Sequence, residues 1–146
     1  MTTVQTGLLD TSTAILLGRL AAPSLLPADT RISAVTLAEL SVGPLVARSE
    51  SERAARQAHL QYAEADFDPI PFDATAARAF GQVAASLRAL GRTSSDRLYD
   101  AMTTATAIAH GIPLYTFDPR DFEGINDLTV VALPHPGPGS DLAESA

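Results

Sequence analysis

The sequence predicts an α/β fold with helices on both faces of a mainly parallel central sheet, a three-layer α/β/α sandwich. Short apolar segments rich in β-prone residues alternate with longer segments whose apolar residues recur every three or four positions. The clearest such unit is residues 98–116, where an amphipathic helix is followed by Gly111 and a short apolar strand. Because the chain has 146 residues, we expect one domain with its own hydrophobic core.

The predicted elements follow this alternation along the whole chain. Strands are predicted at residues 6–10, 31–33, 112–116 and 128–133, and a strand or extended segment at 68–72. Helices are predicted at residues 13–20, 34–47, 49–65, 74–90 and 98–109. The expected N-caps are Thr11 and Ser12 for the first helix, Ser33 for the second and Asp73 for the fourth. Gly43-Pro44 is expected to interrupt the second helix, and Gly91 and Gly111 to end the last two.

Helical periodicity also predicts which side of two helices is buried. The expected core face of residues 74–90 includes Ala77, Phe80, Ala84 and Leu87. That of residues 49–65 consists of Ala54, Ala55, Ala58, Leu60 and Tyr62.

Composition along the chain predicts where the domain ends and where the protein is located. Residues 1–134 are predicted to form the domain, and residues 135–146 a disordered tail, because the composition becomes Pro/Gly-rich and then polar and acidic. The sequence has no apolar run of 18 residues and no signal-peptide pattern, so a cytoplasmic protein is expected. It has no Cys, which excludes disulfides and thiolate metal sites.

The charge balance excludes several classes of phosphate-handling protein. The net charge is −7, so affinity for nucleic acid cannot come from a broad basic surface. All ten basic residues are Arg, and there is no Lys. P-loop NTPases require a Lys, and receiver domains and haloacid-dehalogenase-like phosphatases normally use one. The sequence argues against all three.

Four acidic residues lie where predicted elements meet. Asp10 follows the first strand, Glu39 lies in the second helix, Asp100 lies on the last helix off its apolar face, and Asp118 follows the strand at 112–116. Parallel α/β folds bring such positions to one edge of the sheet, so we expect these carboxylates to converge. Clustered carboxylates repel unless a cation compensates, and oxygen ligands suit Mg²⁺ or Mn²⁺. The sequence therefore predicts a divalent-metal site that could activate water for phosphodiester hydrolysis.

Each acid also has a structural interpretation that the sequence leaves open. Asp10 could only cap the helix that follows it, and Asp100 could be a solvated helix residue. Asp118 and Pro119 could form an Asx turn. The joint pattern favours the functional interpretation over these separate ones.

Glu39 is a special case because it shares a helix sector with Val35, Val42 and Val46. A carboxylate on an apolar stripe is unfavourable unless it is paired, protonated or bound to a metal. Alternatively, it lies at the edge of the stripe with its methylene stem on apolar surface.

Four sequence blocks resemble those of PIN-domain nucleases. They are residues 8–12 (LLDTS), 35–40 (VTLAEL), 100–107 (DAMTTATA) and 110–122 (HGIPLYTFDPRDF). Chain length and the order and spacing of the blocks are similar to those of VapC-type toxins of type II toxin–antitoxin systems, through about Pro134. The resemblance implies a PIN-like α/β/α sandwich and a Mg²⁺-dependent endoribonuclease. It also implies an RNA substrate, a homodimer and a cognate VapB-type antitoxin that binds grooves near residues 34–65 and silences the enzyme.

The resemblance assigns a role to each of the four acids. Asp10 and Asp100 match the main metal ligands, Glu39 matches the helix acid that completes the pocket, and Asp118 matches the fourth acid. All four are candidate catalytic residues and candidate ligands of Mg²⁺, with Mn²⁺ as a substitute. Hydrolysis is expected to leave a 5′-phosphate and a 3′-hydroxyl.

Two positions depart from the family pattern. The family often has Ile-Ala-Ala where Thr103-Thr104-Ala105 stands, so this helix is more polar than usual. The family often has Asn in place of Asp118, which makes Asp121 an alternative for that role. Asp96, one turn before Asp100, could face the site or cap the helix.

Neighbouring polar residues are candidates for supporting roles. Ser12 and Thr116 could hydrogen-bond water in the site or be buried hydroxyl caps. Arg92, Arg97 and Arg120 are candidates for RNA phosphate contacts, with surface ion pairing as the alternative. An acidic nuclease that binds RNA through such patches should show modest, salt-dependent affinity.

Two other functions remain open. One is a non-catalytic PIN-like module that binds RNA or a protein, against which the four retained acids argue. The other is a different Mg²⁺-dependent phosphohydrolase, against which the absence of Lys argues.

Overall fold

The computed structural model describes residues 5–93 and 97–137. Within them, four short parallel strands form one sheet: β1 (Thr6–Leu9), β2 (Asp29–Arg31), β3 (Leu114–Thr116) and β4 (Val130–Ala132). Their order across the sheet is β2-β1-β3-β4, and Leu8 of β1 is aligned with Arg31 on one side and Leu114 on the other. Because all of these pairings are parallel, the carboxyl ends of the strands lie at one edge, and the predicted α/β class is confirmed.

The described residues also form five α-helices. These are α1 (Thr11–Leu16), α2 (Ala34–Val42), α3 (Glu50–Asp66), α4 (Ala74–Ala89) and α5 (Leu98–His110). Short 3₁₀ helices occur at Leu17–Arg19, Pro23–Leu25, Gly43–Val46 and Pro119–Phe122. No helix in these two ranges is both apolar enough and long enough to span a bilayer.

The core lies on both faces of the sheet because neighbouring residues of a strand point to opposite sides. Leu8 and Leu114 pack with Val83 and Ala105 of α4 and α5 on one face. On the other face, Leu9, Ile32, Leu40, Tyr115 and Phe117 pack together with Ala63 of α3. All are buried, so two helical layers enclose the sheet.

Most predicted helix ends are confirmed. The Ser33 side chain accepts a hydrogen bond from Thr36 N, and that of Asp73 accepts one from Ala76 N at 3.0 Å. Gly111 ends α5 in the left-handed conformation, with φ of 62°. The caps predicted for the first helix are wrong, since α1 starts at Thr11 itself and Asp10 occupies the N-cap position.

Several predicted boundaries differ from the structure. For segment 68–72 a strand or an extended segment was predicted, and the extended alternative is confirmed, because only Ile70 pairs, in an isolated bridge with Ser33. The second strand lies at Asp29–Arg31, two residues earlier than predicted, since this register pairs it with β1. The second helix changes to a 3₁₀ turn at Gly43, as the Gly-Pro pair predicted, and so ends earlier than residue 47.

Two predicted core faces are partly wrong. On α4, Ala77 is exposed, whereas Ala76 and Val83 are buried. Alanines occur around most of this helix, so several orientations look equally apolar in the sequence, and packing against α5 selects one of them. On α3, Ala54 is exposed and Tyr62 is 68% exposed, because only the side toward α2 is covered.

Three predictions concern residues at or beyond the ends of the described ranges. Residues 138–146 of the predicted tail (135–146) lie outside the described residues. Asp96 also lies outside them. The division between domain and tail at residue 134 stays a prediction.

Candidate active site

Asp10 and Asp118 meet at the carboxyl edge of the sheet. Asp10 directly follows β1 and is 3% exposed, and Asp118 follows the adjacent strand β3. The Ser12 hydroxyl connects them, because its Oγ lies 3.1 Å from Asp10 Oδ2 and 3.3 Å from Asp118 Oδ2. Two acids separated by more than a hundred residues are thus joined through one side chain.

Glu39 and Asp100 approach from two helices. Glu39 lies on α2 and Asp100 in the first turn of α5, and both are half-buried. The pKa of Asp100 is raised to about 6, mainly by burial and in addition by the charges of Asp10 and Glu39. Asp10 and Glu39 thus act on Asp100, and Asp118 is connected to Asp10 through Ser12. We call Asp10, Glu39, Asp100 and Asp118 the acidic cluster.

Asp10 is the most deeply placed member of the acidic cluster. Burial raises its pKa, and hydrogen bonds from Thr13, Ser12 and Thr116 partly oppose that effect by stabilising the carboxylate. Asp10 occupies the N-cap position of α1, but its side chain makes no capping hydrogen bond. Helix capping therefore does not explain why an acid stands at this position.

Two carboxylate oxygens in the acidic cluster lack partners. Asp10 Oδ1 and Glu39 Oε1 are buried and make no hydrogen bond. Within residues 5–93 and 97–137, no Arg or His forms an ion pair with Asp10, Glu39 or Asp100. Buried carboxylate oxygens that have no donor, on groups that have no counter-charge, are unfavourable, so this arrangement calls for a cation.

The donor chemistry decides which cation fits. In the described part of the chain, no group of three or more acidic, His or Cys side chains is arranged to hold a metal ion. An all-protein cage of the kind that encloses zinc is therefore not formed there. Mg²⁺ needs fewer protein ligands, because it commonly binds through one or two carboxylates and keeps several waters. The residues of the acidic cluster fit an ion held in that way.

A cleft of about 460 Å³ opens beside Asp100. Its lining includes all three arginines predicted to contact RNA phosphates, Arg92, Arg97 and Arg120. Arg97 forms an ion pair with Asp121, whereas Arg120 forms none within the two described ranges. Surface ion pairing, the alternative considered for these arginines, is thus realised for Arg97. Asp121 lies in this cleft, where its charge also raises the pKa of Asp100.

The hydroxyls near Asp10 have more specific roles than their sequence positions indicated. Thr116 Oγ1 accepts a hydrogen bond from Asp118 N at 2.9 Å, and Thr13 Oγ1 accepts one from Phe117 N at 3.0 Å. The Thr13 bond ties the segment after β3 to α1, and the Thr116 bond lies within that segment. Sequence reasoning singled out Thr116 but missed Thr13, which is completely buried.

His135 is a second residue that sequence reasoning missed. Its Nε2 lies 3.9 Å from Asp118 Oδ1, and its ring packs edge-on against Phe117 at 5.9 Å between centroids. The Pro/Gly-rich composition around it predicted a disordered tail. The signal that could have found it is its position three residues after the last strand, close to the edge that carries the acids.

Comparisons with known proteins agree with this geometry. Residues 8–128 match the family model of the PIN domain. The chain is 35% identical over 134 residues to Ribonuclease VapC5 of Mycobacterium tuberculosis, covering 90% of this chain and 96% of that protein. It is 32% identical to Ribonuclease VapC4 of the same organism, covering 70% and 75%.

Solved structures show the same similarity in three dimensions. A crystal structure of VapBC-5, a member of the VapBC family of toxin–antitoxin systems from M. tuberculosis, superposes with a TM-score of 0.73 at 32% identity. The match covers 88% of this chain and 98% of that one. DNA-bound VapBC from Salmonella typhimurium superposes with a TM-score of 0.70 at 24% identity over 88% and 98% of the two chains, which supports the fold alone.

Proposed function

This chain belongs to the PIN-domain family, and we propose from that premise that it is a Mg²⁺-dependent endoribonuclease. We further propose that it is the toxin of a toxin–antitoxin pair and is neutralised by a VapB-type antitoxin. The ribonuclease activity follows from relatives named Ribonuclease VapC, one of which is 35% identical over nearly its whole length.

One observation carries the assignment of the site. Asp10 and Glu39 each bury an oxygen without a partner, and both lie near Asp100, whose own pKa their charges raise. Such an arrangement lowers stability unless a cation is bound, which supports a cation-binding role for these acids.

The proposed metal site uses the residues of the acidic cluster. Asp10 and Asp100 would hold Mg²⁺, with Glu39 and Asp118 completing the negative surround. When bound, the ion would lower the pKa of a coordinated water and balance charge at the scissile phosphate. Mn²⁺ is expected to substitute because it accepts the same oxygen ligands.

The rest of the mechanism belongs to residues of the chain itself. Ser12, Thr13 and Thr116 hold the Asp10 carboxylate in place through hydrogen bonds, and Ser12 also fixes Asp118. Arg120, exposed and without an ion pair among the described residues, is available to bind a phosphate of RNA. These contacts would orient the substrate beside the acidic cluster.

The proposed antitoxin needs a docking surface, and the region near residues 34–65 offers one. Leu45 is 84% exposed, Val46 60% and Tyr62 68%. Exposed large apolar side chains in one region of the chain favour a protein–protein contact there. We propose this surface for the antitoxin, and homodimerisation of the enzyme stays a prediction.

An RNA cleavage assay tests the proposed activity. Purified protein is incubated with single-stranded RNA in Mg²⁺ or in EDTA, and product ends are analysed for 5′-phosphates. We expect cleavage only with the metal, and its loss in Asp10→Asn and Asp100→Asn. Glu50→Gln, on the exposed surface of α3, serves as the control and should cleave normally.

Two outcomes would contradict the proposal. Persistent cleavage by both aspartate variants would exclude the acidic cluster as the site. Hydrolysis of small phosphate esters without cleavage of RNA would favour a different phosphohydrolase.

A further inference from the structure

Helix α5 carries three buried threonines, and one of them has no hydrogen-bond partner. The Thr103 hydroxyl lies 3.4 Å from Ser33 Oγ, and the Thr106 hydroxyl donates to the Met102 carbonyl at 2.9 Å. Thr104 Oγ1 is buried and makes no hydrogen bond. Burying a hydroxyl without a partner is unfavourable. Where two neighbours on the same helix are satisfied, the unpaired one requires an explanation.

The position of Thr104 gives that explanation. It lies one helical turn after Asp100 and lines the cleft of about 460 Å³ that opens beside the acidic cluster. Helical side chains lean toward the N-terminus, so that of Thr104 is directed toward Asp100. Thr104 therefore forms part of the cleft wall on the side of Asp100.

The cleft combines two kinds of surface. Its inner wall is apolar and is formed by Leu87, Ala101, Phe122 and Ile125. Its rim carries three arginines and two aspartates, in a chain whose net charge is −7. Asp121 pairs with Arg97, whereas Arg92 donates to the neutral Glu123 carbonyl, at 3.4 Å. Positive charge on the rim therefore remains for an anion.

This combination matches the chemistry of a nucleotide. A base or ribose presents flat apolar surface together with a few hydrogen-bonding groups, and its phosphate carries negative charge. Pockets of 300–1,000 Å³ with apolar walls and few polar groups are typical of small-molecule sites. Arginine suits phosphate because its planar guanidinium donates two parallel hydrogen bonds.

We propose that this cleft is a subsite for one nucleotide of the RNA substrate, next to the acidic cluster, and that the Thr104 hydroxyl hydrogen-bonds to that nucleotide. The proposal rests on the ribonuclease function proposed above and adds where the substrate lies. Asp100 lines the cleft as well as belonging to the acidic cluster, so a nucleotide bound there would adjoin the scissile bond. A buried hydroxyl that must find a partner also favours nucleotides that supply one.

Isosteric variants test the proposal. Thr104→Val removes the hydroxyl and keeps the shape, and Thr106→Val is the matched control on the same helix, outside the cleft lining. Binding of each nucleoside 5′-monophosphate, and of inorganic phosphate alone, is measured calorimetrically in EDTA. Thermal midpoints and RNA cleavage kinetics are measured on the same proteins.

We expect Thr104→Val to weaken nucleotide binding about five- to tenfold and to raise KM for RNA while kcat is kept. Its Tm should stay the same or rise, because an unsatisfied hydroxyl has been removed. Thr104→Ser should retain binding, and Thr106→Val should match the wild type. Arg120→Gln should weaken both nucleotide and phosphate binding.

Other results would overturn the subsite. If Thr104→Val binds nucleotides as the wild type does, the hydroxyl has no role in recognition. If inorganic phosphate binds as tightly as every nucleotide, the cleft does not recognise a nucleoside. If no nucleotide binds while RNA cleavage is normal and metal-dependent, the subsite fails and the ribonuclease proposal stands. Loss of the ribonuclease proposal would instead show as cleavage that survives Asp10→Asn and Asp100→Asn.

Discussion

Acidic residues occupy two very different settings in this molecule, the acidic cluster and the surface of α3. On α3, Glu50 pairs with Arg53 at 2.8 Å and Glu52 pairs with Arg56, each one helical turn later. The Glu50 side chain is 86% exposed, so water and a neighbouring guanidinium share its charge. In the acidic cluster, by contrast, carboxylates are partly or fully buried and have oxygens without partners.

The difference teaches how to tell solvated acids from functional ones. Helical Glu–Arg pairs at spacings of three and four contribute a few tenths of a kcal/mol and form from local sequence alone. The acidic cluster assembles from four elements, and burial together with nearby carboxylates raises the pKa of Asp10 and of Asp100. Carboxylates kept together at a cost to stability are typical of sites that bind cations.

The largest expected contrast between the two settings is catalytic. Glu39→Gln keeps the size of the side chain but removes its charge from the acidic cluster, and Glu50→Gln makes the same change on α3. We expect the first to lower the rate of RNA cleavage by roughly 100-fold, about 2.7 kcal/mol of transition-state stabilisation, and the second to leave it unchanged. Single-turnover cleavage assays measure both. Equal rates for the two variants would remove Glu39 from the site.

Metal binding should sharpen the contrast at the level of stability. A ligand that binds only the folded protein stabilises it by about 2.7 kcal/mol at 100 times its Kd. We therefore expect Mg²⁺ to raise the Tm of the wild type and of Glu50→Gln, and to have little effect on Asp10→Asn. Differential scanning calorimetry with and without EDTA measures this. A shift of equal size in Asp10→Asn would show that Mg²⁺ binds elsewhere.

The pH dependence of stability offers a third test. The pKa of Asp100 is about 6 in the folded protein against an ordinary value of 3.8, so the folded state holds this proton more tightly than the unfolded chain does. Wild-type stability should therefore fall, relative to Asp100→Asn, as pH rises from 3.8 through 6. With solvent screening of this half-buried group, we expect the variant to be more stable by about 1–2 kcal/mol at pH 7.

Urea unfolding in metal-free buffer at several pH values gives this difference directly. The two proteins should converge below pH 3.8, where Asp100 is protonated in both states. A constant difference across the range would mean that Asp100 does not titrate as an uncompensated acid.

The smallest expected effect belongs to the surface pair. Glu50→Gln removes an exposed ion pair with Arg53, and we expect it to lower the free energy of unfolding by about 0.2–0.5 kcal/mol. High salt should reduce even that difference, since it screens exposed charges. A loss of several kcal/mol would mean that the two settings are energetically alike.

Local chemistry made several features predictable from the sequence. Ser33, Asp73 and Gly111 begin or end helices where predicted, because caps depend on residues within one turn. Asp10 and Asp118 could be placed after parallel strands, and parallel strands end at one edge. Glu39 was predicted beside Val42 and Val46, yet both valines are exposed, so its inclusion in the acidic cluster depends on how α2 packs.

Other features depended on contacts that no local pattern encodes. The hydroxyl of Thr104 has no partner only because of what surrounds α5. That Thr104 departs from the usual family residue did not by itself indicate a cleft. His135 lies within a Pro/Gly-rich segment whose composition predicted disorder, yet its ring packs against Phe117.

The sequence by itself determined the alternation of strands and helices, the residues that cap them and the four acids of the acidic cluster. These depend on periodicity and on interactions between residues close together in the chain. Tertiary structure alone decided which helix faces are buried, which carboxylate oxygens lack partners and where the cleft opens. The physical reason is that burial and pKa depend on distances between segments more than a hundred residues apart, such as Ser12 and Asp118.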